Sequence, residues 1–233
     1  MTVADNLARL RARIDAAAVA AGRDPSGVRL LVATKTQDAP TVLEALDAGV
    51  DLIGENRVQE LVAKAPALAD RVAAGTAAVH MIGHLQRNKV NQVLATATCV
   101  ESVDSADVAA ALATRCAAAG RTLDMMVQVN VSGEETKAGV APDAAAAFAC
   151  TVAAMPGLRL TGFMTIGAHS DDEALVRAGF ARLRAVRDEV LASGRPGTAD
   201  ARELSMGMTG DLELAIAEGA TIVRVGTAVF GPR

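Results

Sequence analysis

A lysine at the end of a buried strand is a candidate nucleophile, and Lys35 stands in that position. It follows the apolar part of Val28-Arg29-Leu30-Leu31-Val32-Ala33-Thr34-Lys35-Thr36, which is bounded upstream by Asp24-Pro25-Ser26-Gly27. The run reads as a strand buried on both faces, as in a parallel sheet. With side chains alternating across it, Lys35 shares a face with Ala33 and Leu31, so its amine is expected in apolar company. Burial disfavours an ammonium, and the neutral amine is the form that attacks an aldehyde carbon. The plainer reading is a lysine that marks a strand end and reaches into solvent.

Two other stretches offer complementary chemistry. Ser205-Met206-Gly207-Met208-Thr209-Gly210 leads into a helical segment, so backbone N–H groups and a hydroxyl can converge on an anion, and Gly226-Thr227 supplies a second glycine turn with a hydroxyl. The alternative is a pair of ordinary glycine turns. Arg224 falls on the same strand face as Ile222 and Gly226, and a guanidinium facing inward requires an acceptor. An aromatic nitrogen would serve, and so would a structural carboxylate such as Glu203.

The elements that must position these groups alternate regularly. An amphipathic helix over 2–22, with Val3, Leu7, Leu10 and Ile14 on one face, precedes the first strand. Further strands are expected at Val50–Gly54, Ala78–Gly83, Cys99–Glu101, Leu123–Val129, Leu158–Met164, Glu203–Met206 and Thr221–Val225. Helices lie between them over about 39–48, 56–73, 86–95, 105–119, 142–154, 170–191 and 210–218. Asp104 is the expected N-cap of the fourth of these, and Ser170 with Glu173 has capping-box spacing for the sixth, whose apolar face reads Leu175, Gly179, Leu183, Val186 and Val190. Eight βα units with an almost absent last helix predict a single (β/α)8 TIM barrel over residues 1–233, with an additional N-terminal helix. An open doubly wound sheet is disfavoured because no Gly-x-Gly-x-x-Gly turn follows the first strand.

A barrel gathers its chemistry at the C-terminal ends of its strands, which is where Lys35, Asn56, His84, Asn130, Thr165, Ser205 to Thr209, Gly226 and Thr227 fall. An amine, a phosphate cup and an arginine for a ring nitrogen are the contacts that a phosphorylated pyridine aldehyde, pyridoxal 5'-phosphate, requires. Among the acceptors open to Arg224, the aromatic nitrogen is then the more economical.

Composition narrows the function classes. The 233 residues carry a formal net charge of -4 with acids and bases interspersed, which gives no sign of a nucleic-acid partner. Hydrophobic residues make up 51% and aromatics 2%, with neither Tyr nor Trp, so the core must be built from aliphatic side chains and Met. Cys99, Cys116 and Cys150 are widely separated, so neither a disulfide framework nor a metal site is expected, and free thiols point to a reducing cytoplasm. Charges at Asp5, Arg9, Arg11, Arg13 and Asp15 interrupt any apolar leader, and no run approaches a membrane span.

The chain resembles the pyridoxal phosphate homeostasis protein family, single-domain relatives of the alanine racemase barrel. The matching segments are Thr34-Lys35-Thr36, Gly54-Glu55-Asn56-Arg57-Val58-Gln59-Glu60, His80-Met81-Ile82-Gly83-His84-Leu85-Gln86-Arg87-Asn88-Lys89, and Asn130 to Gly139. They continue through Gly162-Phe163-Met164-Thr165, Glu203-Leu204-Ser205-Met206-Gly207-Met208 and Val223 to Gly231. The resemblance implies a fold-type III barrel in which Lys35 carries a Schiff base to pyridoxal phosphate. It also implies that Ser205, Gly207, Met208, Gly226 and Thr227 hold the phosphate, with Met206 in the same loop, while Arg224 faces the pyridine nitrogen and Asn56 lies beside the ring. Thr209, where the family usually has Ser, and Gln37, where a basic residue is common, depart from the pattern.

What the resemblance implies about activity is a protein that binds the cofactor and regulates its supply, with effects on amino-acid and keto-acid balance and with no established turnover. PLP-dependent apo-enzymes are then the expected recipients, and a monomer is expected. The competing reading is a small racemase or lyase that uses His84, His169 or Cys99 as a second base. A racemase relative takes that base from a tyrosine of a separate β-domain, and this sequence has no tyrosine. An arginine at the ring nitrogen also weakens the cofactor as an electron sink. A Schiff-base aldolase acting on sugar phosphates is a third class. Lys137, after the fifth strand, is either a second aldehyde-accepting amine or a solvated loop lysine.

Overall fold

A computed structural model describes residues 2–134 and 136–231. Glu135 of the loop segment quoted above lies outside the described residues. Eight strands form a closed parallel barrel in the order β1 to β8: β1 Arg29–Ala33, β2 Leu52–Glu55, β3 Ala78–Met81, β4 Cys99–Val103, β5 Leu123–Gln128, β6 Leu158–Met164, β7 Glu203–Ser205 and β8 Ile222–Val225. The helices that cross between them are α2 Ala39–Asp47, α3 Val58–Ala73, α4 Val90–Leu94, α5 Ala106–Ala118, α6 Pro142–Ala153, α7 Glu173–Ala192 and α8 Leu212–Ala217. The expected (β/α)8 barrel is the observed one.

Helix α1 (Val3–Ala20) starts at a capping box, in which the Thr2 hydroxyl accepts from the Asp5 N–H and the Asp5 carboxylate accepts from the Thr2 N–H. Its buried face, Leu7, Leu10, Ile14 and Ala18, packs against α8 and against α9 (Thr227–Phe230). With four residues, α9 is too short to shield the outer face of the β8 region, and α1 takes that place in the helical layer. The Asn6 Nδ2 donates to the Val229 carbonyl at 2.8 Å, and Arg13 pairs with Glu213 across the same contact.

Side chains divide by strand face, as the alternation requires. One set, including Val32, Ile53, Val79, Phe163, Leu204 and Val223, joins the helices in the outer core. The other set, Leu31, Leu52, Ile82, Cys99, Met126, Met164 and Ile222, fills the barrel lumen. The β4/β5 ladder shifts register between Val100 and Val103, and the β5/β6 ladder between Met125 and Met126. Such bulges re-aim side chains, and the first of them brackets Glu101.

Two caps and one helix face differ from the sequence reading. Ser105, not Asp104, caps α5 by accepting from the Val108 N–H, and Asp172, not Ser170, caps α7 by accepting from the N–H groups of Ala174 and Leu175. Because α7 begins at Glu173, its inward face carries Val176 and Phe180 where Leu175 and Gly179 were expected, and Leu175 is exposed. Leu183, Val186 and Val190 are buried as expected.

Gly162 lets β6 lie against β7, since a Cβ there would stand 2.1 Å from the Glu203 carbonyl oxygen. Backbone cannot yield as a side chain can, so Gly162→Ala is expected to destabilise the barrel by about 1–3 kcal/mol, the range for overpacking a core. Urea unfolding checks this, and a loss below half a kcal/mol would show that β7 has room to move.

Candidate functional site

Lys35 stands two residues beyond the end of β1, on a tightly held turn. Thr34 is buried, and Thr36 has φ +66, the left-handed region that β-branched residues avoid. Strain of this kind, about 1–3 kcal/mol, persists where neighbours over-determine the backbone. Here Lys64 Nζ donates to the Thr34 carbonyl and to Glu55 Oε1, both at 2.7 Å, while the Thr34 hydroxyl donates to the same carboxylate oxygen at 2.5 Å. Glu60 Oε2 accepts the Thr36 N–H at 2.7 Å. Glu55 is fully buried, and its Oε2 has no partner among the described residues. The turn carries Lys35 beyond the strand end to the barrel rim. The residue is exposed, which corrects the expectation of an apolar, buried amine: the strand stops at Ala33, and the alternation stops with it.

Strand register places the other rim groups relative to Lys35. Ala33 pairs with Gly54 of β2, so Asn56 lies level with Lys35, and its carbonyl presses on Gly83, where a Cβ would stand 2.0 Å away. On the other side Val32 pairs with Val225, which brings Gly226 against Ala33; a Cβ on Gly226 would stand 2.9 Å from the Ala33 carbonyl oxygen. Lys35, Thr36, Gly226, Thr227 and Phe230 thus line one small pocket.

The β7–α8 loop is the next wall. Gly207 has φ +91 and faces Ala215 so closely that a Cβ would stand 2.5 Å from the Ala215 Cβ. Its carbonyl accepts the Arg224 N–H at 2.9 Å, and the buried Met206 donates its N–H to the Ile222 carbonyl at 3.0 Å. The Met208 N–H donates to Asp211 Oδ1 at 2.6 Å. Among the described residues, the N–H groups of Gly207, Thr209, Gly210, Thr227 and Ala228 have no acceptor. These are five unclaimed donors in two neighbouring loops.

Arg224 lies inside the lumen, 6% exposed. Its Nη1 donates to the Ser205 carbonyl at 2.6 Å and to the Ser205 hydroxyl at 2.9 Å, and its Nη2 donates to the Thr165 carbonyl at 2.6 Å. The Ser205 hydroxyl donates to Glu101 Oε2 at 2.6 Å, and Glu101 Oε1 lies 2.6 Å from His80 Nδ1. Four residues from β8, β7, β4 and β3 therefore form one hydrogen-bonded chain across the lumen. Burial pushes the Arg224 guanidinium down from its ordinary range, while Glu101 and Asp211 work against that. Burial also disfavours the Glu101 carboxylate, but the hydrogen bond and charge of His80, with Arg224 and Ser205, outweigh it and hold the group below its ordinary value. The remaining Arg224 N–H donors, at Nε and Nη2, have no acceptor among the described residues.

Most of the expected site residues meet at this rim, with exceptions. The Ser205 hydroxyl, expected at the phosphate, is fully buried and committed to Glu101 and Arg224. Glu203, considered as the structural acceptor for Arg224, instead accepts from the Thr221 hydroxyl; the acceptors of Arg224 are Ser205 and the Thr165 carbonyl, and Glu101 supplies the compensating charge. Lys137 Nζ is tied to Glu134 Oε1 at 2.6 Å and to the Gly167 carbonyl at 3.0 Å. His84 and His169 are exposed, and Cys99 is a lumen thiol that burial, then Glu101 and Asp124, push up. The sequence reading passed over His80, Glu101 and Lys64 as functional groups. Polar residues inside otherwise apolar strand runs, as in Val79-His80-Met81, were the available signal for the first two.

Comparison with known proteins gives concordant results. Residues 6–233 match the family described as alanine racemase, N-terminal domain. A Pseudomonas aeruginosa protein named pyridoxal phosphate homeostasis protein is 44% identical over 232 residues, covering 100% of this chain and 96% of the relative. A crystal structure of an unknown protein from Bifidobacterium adolescentis superposes with a TM-score of 0.94 at 50% identity, covering 98% of this chain and 94% of the other. PipY of Synechococcus elongatus, solved with PLP bound, superposes at 0.82 with 31% identity, covering 99% of this chain and 100% of that one.

Glu101 makes stability depend on acid in a defined direction. Its folded value lies below the ordinary 4.5, so its contribution is present above that pH and is lost as pH falls through the folded value. Between pH 7 and pH 3, urea unfolding should show a larger loss of stability for the wild-type protein than for Glu101→Gln. Equal losses would mean that the carboxylate is not held in its charged form.

Proposed function

The chain belongs to the pyridoxal phosphate homeostasis protein family, and on that premise we propose that it holds pyridoxal 5'-phosphate at this rim through Lys35 and regulates the cofactor's intracellular supply. The single observation that carries the site assignment is the register that sets the Lys35 turn, the two unclaimed-donor loops and the lumen arginine around one end of the barrel. The residues fit the group. Gly207 and Gly226 let their loops close against Ala215 and Ala33, the free N–H groups of those loops suit a phosphate, and Arg224 retains donors for a ring nitrogen.

When bound, the cofactor supplies an aldehyde with which a deprotonated amine condenses, releasing one water. Lys35 Nζ is that amine. The Glu55–Lys64 pair beneath it fixes the backbone from which it reaches. Gly207, Met208, Gly226 and Thr227 hold the phosphate, Met208 after exchanging Asp211 for it. Ser205 acts through Arg224, Met206 anchors the loop to β8, and Asn56 flanks the ring.

The same geometry supports a carrier in preference to a racemase or lyase. Arg224 is already cationic, so it donates to a ring nitrogen and disfavours protonation there, which limits electron withdrawal. The candidate second bases are exposed, as His84 and His169 are, or sealed in the lumen, as Cys99 is. Among the described residues no helix is long and apolar enough to cross a membrane. We place the protein in the cytoplasm as a single-domain monomer that supplies apo-enzymes, a reading supported by its three free thiols.

Borohydride reduction of the loaded protein followed by peptide mass mapping should put the adduct on the peptide containing Lys35, and Lys35→Ala should lose the visible chromophore. A Lys35→Ala protein that keeps that absorbance at undiminished affinity would refute the assignment. Arg224→Gln should bind about tenfold more weakly or worse, the scale of a lost charged hydrogen bond. For the carrier reading, incubation with amino acids in deuterated water should give no multiple-turnover exchange at Cα; sustained exchange would make the protein an enzyme.

A further inference from the structure

The chain of side chains behind Arg224 does not end inside the barrel. His80 is 94% buried, its Nδ1 faces Glu101, and its Nε2 has no partner among the described residues. The ring lines a cavity of about 290 Å³ at the N-terminal mouth of the barrel, the end opposite Lys35. The charged groups facing His80 there come from every side. Arg29 projects from β1, Asp124 from β5, Arg159 from β6 and Glu203 from β7, with Asp200 and Arg202 just before it, while β4 contributes Cys99 beside Glu101. Asp124 and Arg159 neutralise each other through two hydrogen bonds of 2.7 Å, and Glu203 is engaged by Thr221.

We propose that His80 and Glu101 are positioning residues for the cofactor ring, acting through Ser205 and Arg224, and that His80 takes its proton from the N-terminal mouth. The inference rests on the reading of the rim as the cofactor site. With His80 neutral, the chain holds one cation and one anion, and Glu101 serves Arg224 alone. The Nδ1–H donates to Glu101 in both states of the ring, so protonation breaks no hydrogen bond. It does place a second cation 2.6 Å from the Glu101 carboxylate, in a lumen where charges are weakly screened. Glu101 is then shared, and Arg224 is held less firmly against the Ser205 wall. Acid at one end of the barrel thus changes the charge presented to the ring at the other, with no ligand common to the two ends.

The test uses cofactor-loaded protein and the visible absorbance of the bound group between about pH 5 and 8, where histidines titrate. Wild type should show a transition that His80→Gln lacks, because the amide keeps a donor for Glu101 but carries no titrating proton. His80→Gln should keep its affinity within twofold, His80→Leu should lose threefold to tenfold, and Lys35 should remain trappable by borohydride in both. Ser205→Ala, which cuts the chain without touching His80, should abolish the transition even where His80→Leu fails to fold. Arg29→Glu, on the mouth and outside the chain, should raise the midpoint by at least half a unit. A His80→Gln protein with the wild-type pH profile, or a Ser205→Ala protein with an unchanged transition, overturns the relay, and an unmoved midpoint in Arg29→Glu shows that His80 does not feel the charges of that mouth and overturns its link to it. A wild-type protein that takes up no cofactor overturns the rim assignment instead.

Discussion

A guanidinium enclosed in a barrel lumen has to be compensated from within the lumen, and this requirement organises the centre of the molecule. Arg224 receives two backbone carbonyls, a hydroxyl and the field of Glu101, contributed by strands and loops on different sides of the barrel. Removing one partner of such a set leaves a buried charge unpaired, which costs far more than the net worth of the pair. The lumen is therefore divided. Aliphatic and thioether side chains fill part of it, and a continuous polar chain from His80 to Arg224 crosses the rest.

Beside the lumen, a second buried charge pair supports the turn that carries Lys35. Lys64 and Glu55 are both nearly sealed from solvent, and their bonds converge on Thr34, the residue before Lys35. An amine on a flexible four-carbon stem is free to search; what must be fixed is where the stem starts. The Glu55–Lys64 pair and Glu60 fix it through the backbone on either side of Lys35, leaving the amine itself without a protein partner among the described residues.

The sequence made the barrel legible because each strand is a short apolar run and each helix an amphipathic one, and eight such alternations leave few architectures. Lys35, the glycine turns and Arg224 were legible because a reactive type stood at a strand end or on a definable strand face. What escaped was set by neighbours distant in the chain. The direction of the Lys35 side chain depends on a left-handed Thr36 stabilised from α3, and the burial of the Ser205 hydroxyl depends on Glu101, 104 positions earlier. The α7 face was misread by one residue because two nearby cap candidates, Ser170 and Asp172, compete, and only the geometry of the turn selects between them.

The seam between β1 and β8 has a consequence for biosynthesis. Lys35 is made early and Gly226 late, yet they share a wall, and α1 covers the region that α9 leaves bare. A nascent chain still lacking β8 has an open sheet, no arginine in its centre and an N-terminal helix that can pack on α8 but not yet on α9. If Lys35 binds the cofactor as proposed, loading follows synthesis of the last strand, and a ribosome stalled short of it displays a lysine with no pocket around it.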